Sequence, residues 1–108
     1  ALGALVFRSG ADAHNHNAQF FKGEVDKNPY SITAWMTLGN CYLRAHLLEK
    51  AVEQYEYAMA IDQHFPSAYI NTATIYNELD RYQDSIDIIE EAFRNLTNLA
   101  SQYANRKF

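Results

Sequence analysis

The sequence has little cysteine, proline or glycine, and it has no long hydrophobic run. Its 108 residues include one Cys, two Pro and four Gly, while 48% are hydrophobic. This composition excludes a disordered tail, a collagen-like fibre and a low-complexity linker. The single cysteine, Cys41, cannot form an internal disulfide. The first apolar residues, 1–7, are too few to cross a bilayer and lack the charged start of a signal peptide, so we expect a cytoplasmic protein without a membrane partner.

Positive charge is also scarce. Nine Lys and Arg stand against thirteen Asp and Glu, a net charge of −4, which excludes a nucleic-acid binder that relies on bulk charge. Residues 55–93 hold eight acidic residues and one basic residue, Arg81. We interpret this segment as a solvated helix face, and a docking surface for a basic partner is the alternative. The acidic residues are Glu56, Asp62, Glu78, Asp80, Asp84, Asp87, Glu90 and Glu91.

An internal repeat is what the sequence does contain. Thr33-Ala34-Trp35 returns as Ser67-Ala68-Tyr69, and the step from Trp35 to Tyr69, which we call the repeat offset, leads on to Tyr103. At many further positions this offset relates small residues to small ones and bulky residues to bulky ones, which predicts a repeat architecture. These pairs are Gly39 and Ala73, Tyr42 and Tyr76, Ala51 and Ser85, Val52 and Ile86, Tyr55 and Ile89, and Ala58 and Ala92.

Each unit has the spacing of two helices. The first helix carries apolar or small residues at i, i+3, i+4 and i+7, and a second stripe runs over 48–59 after a tight turn at 45–47. Pro66 suits a first helical turn, so the spacing predicts helices over 66–78 and 81–95. No Gly or Pro follows Pro66. Residues 82–108 therefore form either one long helix or two helices with a break near 95–98.

The motif Trp35-x2-Leu38-Gly39-x2-Tyr42, followed by Ala51-x3-Tyr55-x2-Ala58, resembles the signature of the tetratricopeptide repeat (TPR) family, whose period the repeat offset also matches. The resemblance implies an all-α fold, a right-handed superhelical stack of antiparallel helix pairs (a TPR α-solenoid) with about three units. TPR units are expected over 32–65 and 66–99. A diverged or truncated helical unit is expected over 1–31, and the start of a further unit or a capping helix over 100–108.

Small residues in the motif allow close packing of helices. We expect Gly39 to face the neighbourhood of Ala51 within the first pair, and Ala58 to lie where the next pair crosses. The second unit departs from the pattern with Thr72 and Ser85, where Leu and Ala are usual.

No catalytic or metal-binding pattern is present in the sequence. His14 and His16 are two positions apart and point to different faces of a helix, and no acidic or Cys ligand lies at confirming spacing. Cys41 lies on an apolar helix and is expected to be a small buried residue. No Gly-rich phosphate loop exists. We therefore expect neither an enzyme nor a cofactor or metal.

The TPR resemblance implies that the first helix of each unit lines a groove that binds a protein or peptide partner. Asn71 and Asn105 are separated by the repeat offset, with Thr37 completing the column and Asn40 one turn on. Amide side chains both donate and accept, so such a column can bind the backbone of an extended peptide. The groove residues are Thr33, Met36, Thr37, Asn40, Arg44, Ser67, Ile70, Asn71, Thr74, Glu78 and Asn105.

One TPR subtype binds the C-terminal carboxylate of heat-shock chaperones with two Asn and three basic residues. Asn40 and Asn71 match the two Asn, but Met36, Ser101 and Asn105 stand where the basic residues would be, so this ligand is rejected.

Three hypotheses about function remain. The first is a non-catalytic interaction module. The second is an architectural segment of a longer TPR scaffold subunit in a larger complex. The third is the TPR portion of an enzyme whose catalytic domain is absent. Exposed apolar residues at the start of the chain also predict end-to-end self-association: Leu2, Leu5 and Val6.

Overall fold

The computed structural model of the chain describes the backbone of residues 10–107 and the side chains of residues 16–106. Within this range the structure consists of five helices and has no strand, so the expected all-α class is confirmed. The helices are α1 (Gly10–Lys27), α2 (Ile32–Arg44), α3 (Leu48–Ile61), α4 (Pro66–Glu78) and α5 (Tyr82–Lys107). None of them combines the length and the apolar character that a bilayer crossing requires.

The helices pack mainly on the helices that precede and follow them in the chain, and the molecule extends over 61 × 33 × 18 Å. Side-chain contacts show that α4 and α5 are antiparallel. Ala73, late in α4, accepts a hydrogen bond from Ser85, early in α5. Tyr69, early in α4, is bonded by Asn95, much later in α5. This pairing fixes which faces of the two helices are covered.

The two turns inside the pairs repeat the same backbone geometry. His46 and Asp80, which are separated by the repeat offset, have φ of 59° and 58°. The residue that follows each of them donates its amide to the carbonyl five residues back, Leu47 to Tyr42 and Arg81 to Tyr76. This is the Schellman arrangement that ends many helices. The predicted turns are confirmed, and they form without the glycine that usually takes the left-handed position.

The turns between the pairs also repeat. Asn28 Oδ1 accepts from the amide of Tyr30, and Asp62 Oδ1 accepts from the amide of His64. Helix α1 ends at Lys27 and α3 ends at Ile61, so the two helix ends are also separated by the repeat offset. The described part of the N-terminal segment therefore matches the second helix of a pair.

The residues expected to drive end-to-end association lie outside the described residues. They are Leu2, Leu5 and Val6. End-to-end association through the start of the chain therefore stays a prediction.

Small residues make the close contacts, but one of them does not face the expected partner. A Cβ added to Gly39 would lie 2.5 Å from the ring of Tyr55, so Gly39 faces this ring rather than Ala51. The ring needs the space because Tyr55 is fully buried between its neighbours. Ala58 and Ala68 are both fully buried in one core cluster, as expected for the α3–α4 crossing.

Thr72 and Ser85, the two polar residues at which the second unit departs from the TPR pattern, are buried and hydrogen-bonded. The Thr72 hydroxyl donates to the carbonyl of Ala68 at 2.8 Å, and the Ser85 hydroxyl donates to the carbonyl of Ala73 at 3.1 Å. Because each hydroxyl has a backbone partner, its burial does not carry the penalty of an unpaired polar group.

Helix α5 is one continuous helix of 26 residues, which decides the alternative left open by the sequence. The segment after Asn95 contains no Gly or Pro that would stop it. Residues 100–107 therefore continue α5 rather than beginning a separate helix. The expectation that the end of the chain starts a further unit or caps the stack stays a prediction.

Candidate peptide-binding face

The first helices of the two pairs, α2 and α4, present most of the predicted groove residues on one surface, which we call the α2/α4 face. Five of its polar side chains are exposed, and Thr37, Asn40 and Asn71 are half-buried. The exposed polar ones are Thr33, Arg44, Ser67, Thr74 and Glu78. Ile70 is 55% exposed and adds an apolar side chain to this face.

Two predicted groove residues do not belong to this face. Met36 is 8% exposed and packs in the core cluster with Val52, Tyr55 and Ile75. Its side chain is long enough to reach the α3–α4 crossing, so hydrophobic burial places it in the core. Asn105 lies near the end of α5, which continues as a second helix, so it is not on a first helix.

The centre of the face is a polar cluster that joins three helices. The Tyr55 hydroxyl of α3 donates to Asn40 Oδ1 of α2 at 2.6 Å. Asn71 Nδ2 of α4 lies 3.5 Å from the same oxygen. The repeat explains why the two asparagines are close. Asn71 is equivalent to Thr37, and Asn40 lies one helical turn after Thr37 on the neighbouring first helix. Sequence reasoning grouped Asn40 and Asn71 correctly but did not foresee the tyrosine between them.

Burial raises the pKa of Tyr55 above its ordinary value, while the nearby Asn71 amide and the positive charge of Arg44 act in the opposite direction. The hydroxyl therefore stays protonated and remains a donor to Asn40 throughout the neutral range. In the structure the oxygen of the Asn40 amide faces the tyrosine and accepts this hydrogen bond.

The hydrogen bonds inside the cluster leave one polar atom of each asparagine for a ligand. Asn40 Nδ2 and Asn71 Oδ1 hydrogen-bond to no other group in the described part of the chain. One is a donor and the other an acceptor, which matches the carbonyl and the amide of a peptide unit. The cluster is therefore chemically able to bind a main chain without reading its side chains.

The threonines of the face are less available as donors. Thr37 donates to the carbonyl of Thr33 at 2.7 Å, and Thr74 donates to the carbonyl of Ile70 at 2.9 Å. These are bonds to the preceding helical turn, a common arrangement for a helical threonine. The hydroxyl oxygens can still accept a hydrogen bond from a ligand.

The last residues of the two helices occupy equivalent positions with opposite charge. Arg44 ends α2 and Glu78 ends α4, and both are exposed. The face is therefore polar and close to neutral, with its charges at one end. None of its described residues supplies the cluster of basic groups that a free carboxylate would need, which agrees with the rejection of a chaperone C-terminus as ligand.

A second surface was not singled out as a site by the sequence. An open groove of about 730 Å³ runs between α3, the α3–α4 turn and α5. Its carboxylates are Glu56, Asp62 and Glu91, and its floor includes Tyr69. Burial raises the pKa of Tyr69, the hydrogen bond from Asn95 opposes this, and the charges of Glu91 and Asp62 add to the rise. The eight acidic residues over 55–93 indicate an acidic surface in the sequence, but only the structure places three of them around one groove.

Cys41 is buried, as expected, and burial raises the pKa of its thiol. Among the residues that the structure describes, no three His, Cys, Asp or Glu side chains come together as metal ligands. Comparison of the sequence with protein-family models and with curated proteins finds no match.

Proposed function

We propose that this chain is a non-catalytic protein-interaction module that binds an extended peptide segment of a partner protein across the α2/α4 face. The observation that supports it is the oriented amide pair of Asn40 and Asn71, which leaves one donor and one acceptor side by side on a half-buried surface. We infer that the helix pairs form a TPR-like right-handed superhelix and that this face lies on its concave side. The return of the same turn geometry at the repeat offset supports that inference.

The surroundings of the amide pair favour a peptide over a small polar molecule. Ile70 offers an exposed apolar side chain beside Asn71, so a bound segment gains apolar burial next to its main-chain hydrogen bonds. Thr37 and Thr74 continue the polar row on either side. A row of this kind is matched by a segment of several residues, and main-chain binding of this type gives affinity with broad sequence tolerance.

Asn71→Ala is the direct test, and Asn77→Ala on the same helix is its control because Asn77 is exposed. Random short peptides displayed on phage are selected against the wild-type chain, and the affinity of the selected peptides is measured by titration calorimetry. Asn71→Ala is expected to weaken binding about tenfold or more, since a peptide amide left unpaired costs about 1–3 kcal/mol. Asn77→Ala is expected to leave affinity unchanged.

Asn40→Ala is a poorer test because it also removes the acceptor of the buried Tyr55 hydroxyl and so lowers stability. Amide NMR shifts on adding a selected peptide locate the bound surface independently of mutation. Shifts confined to the groove of Glu56, Asp62 and Glu91, with affinity unaffected by Asn71→Ala, would contradict the proposal and favour docking of a basic partner on the acidic surface.

A second candidate function is an architectural segment of a longer scaffold subunit that holds its neighbours at a set spacing in a cytoplasmic complex. The acidic groove on the second helices favours it, because a scaffold uses its outer surface. In that case Glu91→Lys is expected to abolish assembly with neighbours, whereas Asn71→Ala is expected to have no effect. A TPR portion of an enzyme predicts neither result and is distinguished by finding a catalytic domain in the same polypeptide.

A further inference from the structure

The acidic groove, which holds Glu56, Asp62 and Glu91, has a smaller counterpart in the first pair. This counterpart is a cavity of about 290 Å³ between α1, α2 and α3. Most of its lining residues are related by the repeat offset to lining residues of the acidic groove. The related pairs include Lys22 and Glu56, Trp35 and Tyr69, and Tyr57 and Glu91. The two cavities are therefore copies of one site of the repeat.

The first copy is closed by a side chain of the chain itself. The rings of Tyr57 and Trp35 stack, with 4.4 Å between their centroids and 25° between their planes. The charges of its described lining also balance. They belong to Lys22, Lys50, Asp26 and Glu53. Because this cavity already contains a flat ring and equal numbers of opposite charges, it offers little to a partner.

The second copy is larger and carries charge of one sign. Glu91 stands where the first copy has Tyr57, so no ring takes that position, and the groove has a volume of about 730 Å³. Its described lining contains neither lysine nor arginine. Glu56 and Glu91 form no ion pair within the described residues, and Asp62 has only His64 Nδ1, at 3.7 Å. A cationic group that enters the groove therefore meets carboxylates without a fixed counter-charge.

The floor of the groove adds apolar surface and a buried hydroxyl. Met59, Ile61 and Ile88 are half-buried members of the lining. Tyr69 is only 2% exposed, and its hydroxyl accepts a hydrogen bond from Asn95 Nδ2 at 3.1 Å. The hydroxyl itself donates to no acceptor in the described part of the chain. A buried donor of this kind is expected to have a partner, and a ligand in the groove can supply one.

These features together match a long cationic side chain of another protein. Its methylene groups can pack on the apolar floor while its charged end stays among the carboxylates. Arginine fits better than lysine, because its guanidinium can hydrogen-bond two carboxylates at once and is flat, like the Tyr57 ring of the first copy. The main chain beside the arginine carries carbonyl oxygens that can accept from the Tyr69 hydroxyl.

We propose that the acidic groove binds an arginine side chain from a basic segment of a partner protein. The guanidinium lies among Glu56, Asp62 and Glu91, where charge-assisted hydrogen bonds hold it. None of these residues belongs to the α2/α4 face. The proposal is therefore independent of peptide binding at that face.

A capped peptide with several arginines among glycine and serine residues is the probe, and matched peptides carry lysine or citrulline in place of arginine. Citrulline keeps the shape of arginine and removes its charge. Titration calorimetry measures the affinity, and amide NMR shifts locate the bound peptide. The arginine peptide is expected to bind in the micromolar range, the lysine peptide several-fold more weakly, and the citrulline peptide not at all.

Glu91→Gln and Glu90→Gln are a matched pair of variants. Each removes one negative charge from an exposed position of α5, but Glu90 does not line the groove. Glu91→Gln is expected to weaken binding of the arginine peptide about tenfold, since a charge-assisted partner of the guanidinium is lost. Glu90→Gln is expected to weaken it less than about twofold. Equal effects would show that only overall charge matters and would overturn the proposal.

Glu91→Tyr copies the first pair and is expected to fill the groove and abolish binding of the arginine peptide. Far-UV circular dichroism is expected to show that this variant keeps the fold, because Glu91 is exposed. Undiminished binding to Glu91→Tyr, or NMR shifts confined to amides away from the groove, would overturn the proposal.

The matched peptides and a simple cation test the choice of ligand. A lysine peptide that binds as tightly as the arginine peptide would overturn the assignment of arginine. Magnesium chloride alone is expected to leave the groove amides unshifted, and shifts equal to those of the arginine peptide would overturn the proposal in favour of a general cation site. Failure of the arginine peptide to bind leaves the proposal for the α2/α4 face intact, because that face is tested with selected peptides and Asn71→Ala.

Discussion

Tyr55 in α3 and Ile89 in α5 occupy equivalent positions of the two units, yet Tyr55 is fully buried while Ile89 is 43% exposed. Both side chains are large and have mostly apolar surface, so their size and hydrophobicity alone do not explain the difference. The second helix of the first pair is covered by α4, and the second helix of the second pair has no following helix packed on it in the described residues. In a repeat fold, the burial of one face is decided by the neighbouring unit.

Truncation of Tyr55 and of Ile89 to alanine is expected to give the largest difference in stability between the two helix pairs. Tyr55→Ala is expected to lower the free energy of unfolding by about 3–5 kcal/mol, because it leaves a cavity in the core and removes the donor to Asn40. Ile89→Ala is expected to lower it by less than about 1 kcal/mol. Urea unfolding followed by circular dichroism measures both. Equal losses would show that the two faces are buried alike.

Overpacking at the crossing of the pairs is expected to have the next largest effect. Ala58→Trp places an indole where α3 meets Ala68, a fully buried site, and is expected to destabilise the chain by about 1–3 kcal/mol or more. Ala92→Trp, at the equivalent half-buried position of α5, is expected to have a smaller effect. Thermal melting compares them, and an unchanged melting temperature of Ala58→Trp would contradict the packing described here.

A third comparison concerns Gly39 and its equivalent, Ala73. Gly39→Ala is expected to destabilise the chain by about 1 kcal/mol, since the clash with the Tyr55 ring exceeds the gain in helix propensity. Tyr55→Ile, which copies the second unit, is expected to relieve the clash. A double-mutant cycle on these two positions measures the coupling, and a coupling energy of zero would mean that the ring moves aside freely.

The smallest difference is expected at the left-handed turn residues. His46→Gly is expected to stabilise the chain by about 0.5–1 kcal/mol, because histidine is strained at a φ of 59°. Asp80→Gly is expected to be close to neutral, since the relief of backbone strain is offset by loss of the hydrogen bond that Asp80 Oδ1 accepts from the Tyr82 hydroxyl at 2.8 Å. Thermal melting at one pH compares the two variants. A larger rise in melting temperature for Asp80→Gly than for His46→Gly would contradict this prediction.

Much of the local structure was predictable from the sequence. The spacing predicted a helix over 66–78 and a turn over 45–47, and both are found, because apolar periodicity and Pro66 act within a few residues of chain. The burial of Cys41 followed from its place on an apolar helix. The proximity of Asn40 to Asn71 followed from the repeat, since Asn71 is equivalent to Thr37 and Asn40 lies one helical turn after Thr37 on the neighbouring first helix.

Other features of the candidate site could not be predicted in the same way. Met36 has a flexible side chain, and whether it reaches the core depends on the distance to α4. The direction of the Asn40 amide depends on a tyrosine from another helix. The groove of three carboxylates depends on how α3 and α5 are spaced. Each of these features depends on the distance between two helices, and the periodicity of a sequence does not specify that distance.

The sequence by itself determined that the chain is helical, where its turns lie and that its units repeat at a constant offset, because propensity, periodicity and turn chemistry are local. Only the tertiary structure decided which faces are covered. The same apolar pattern on α3 and on α5 gives a core in one case and an exposed stripe in the other. The physical reason is that burial is a property of two surfaces, and the sequence of one helix describes only its own.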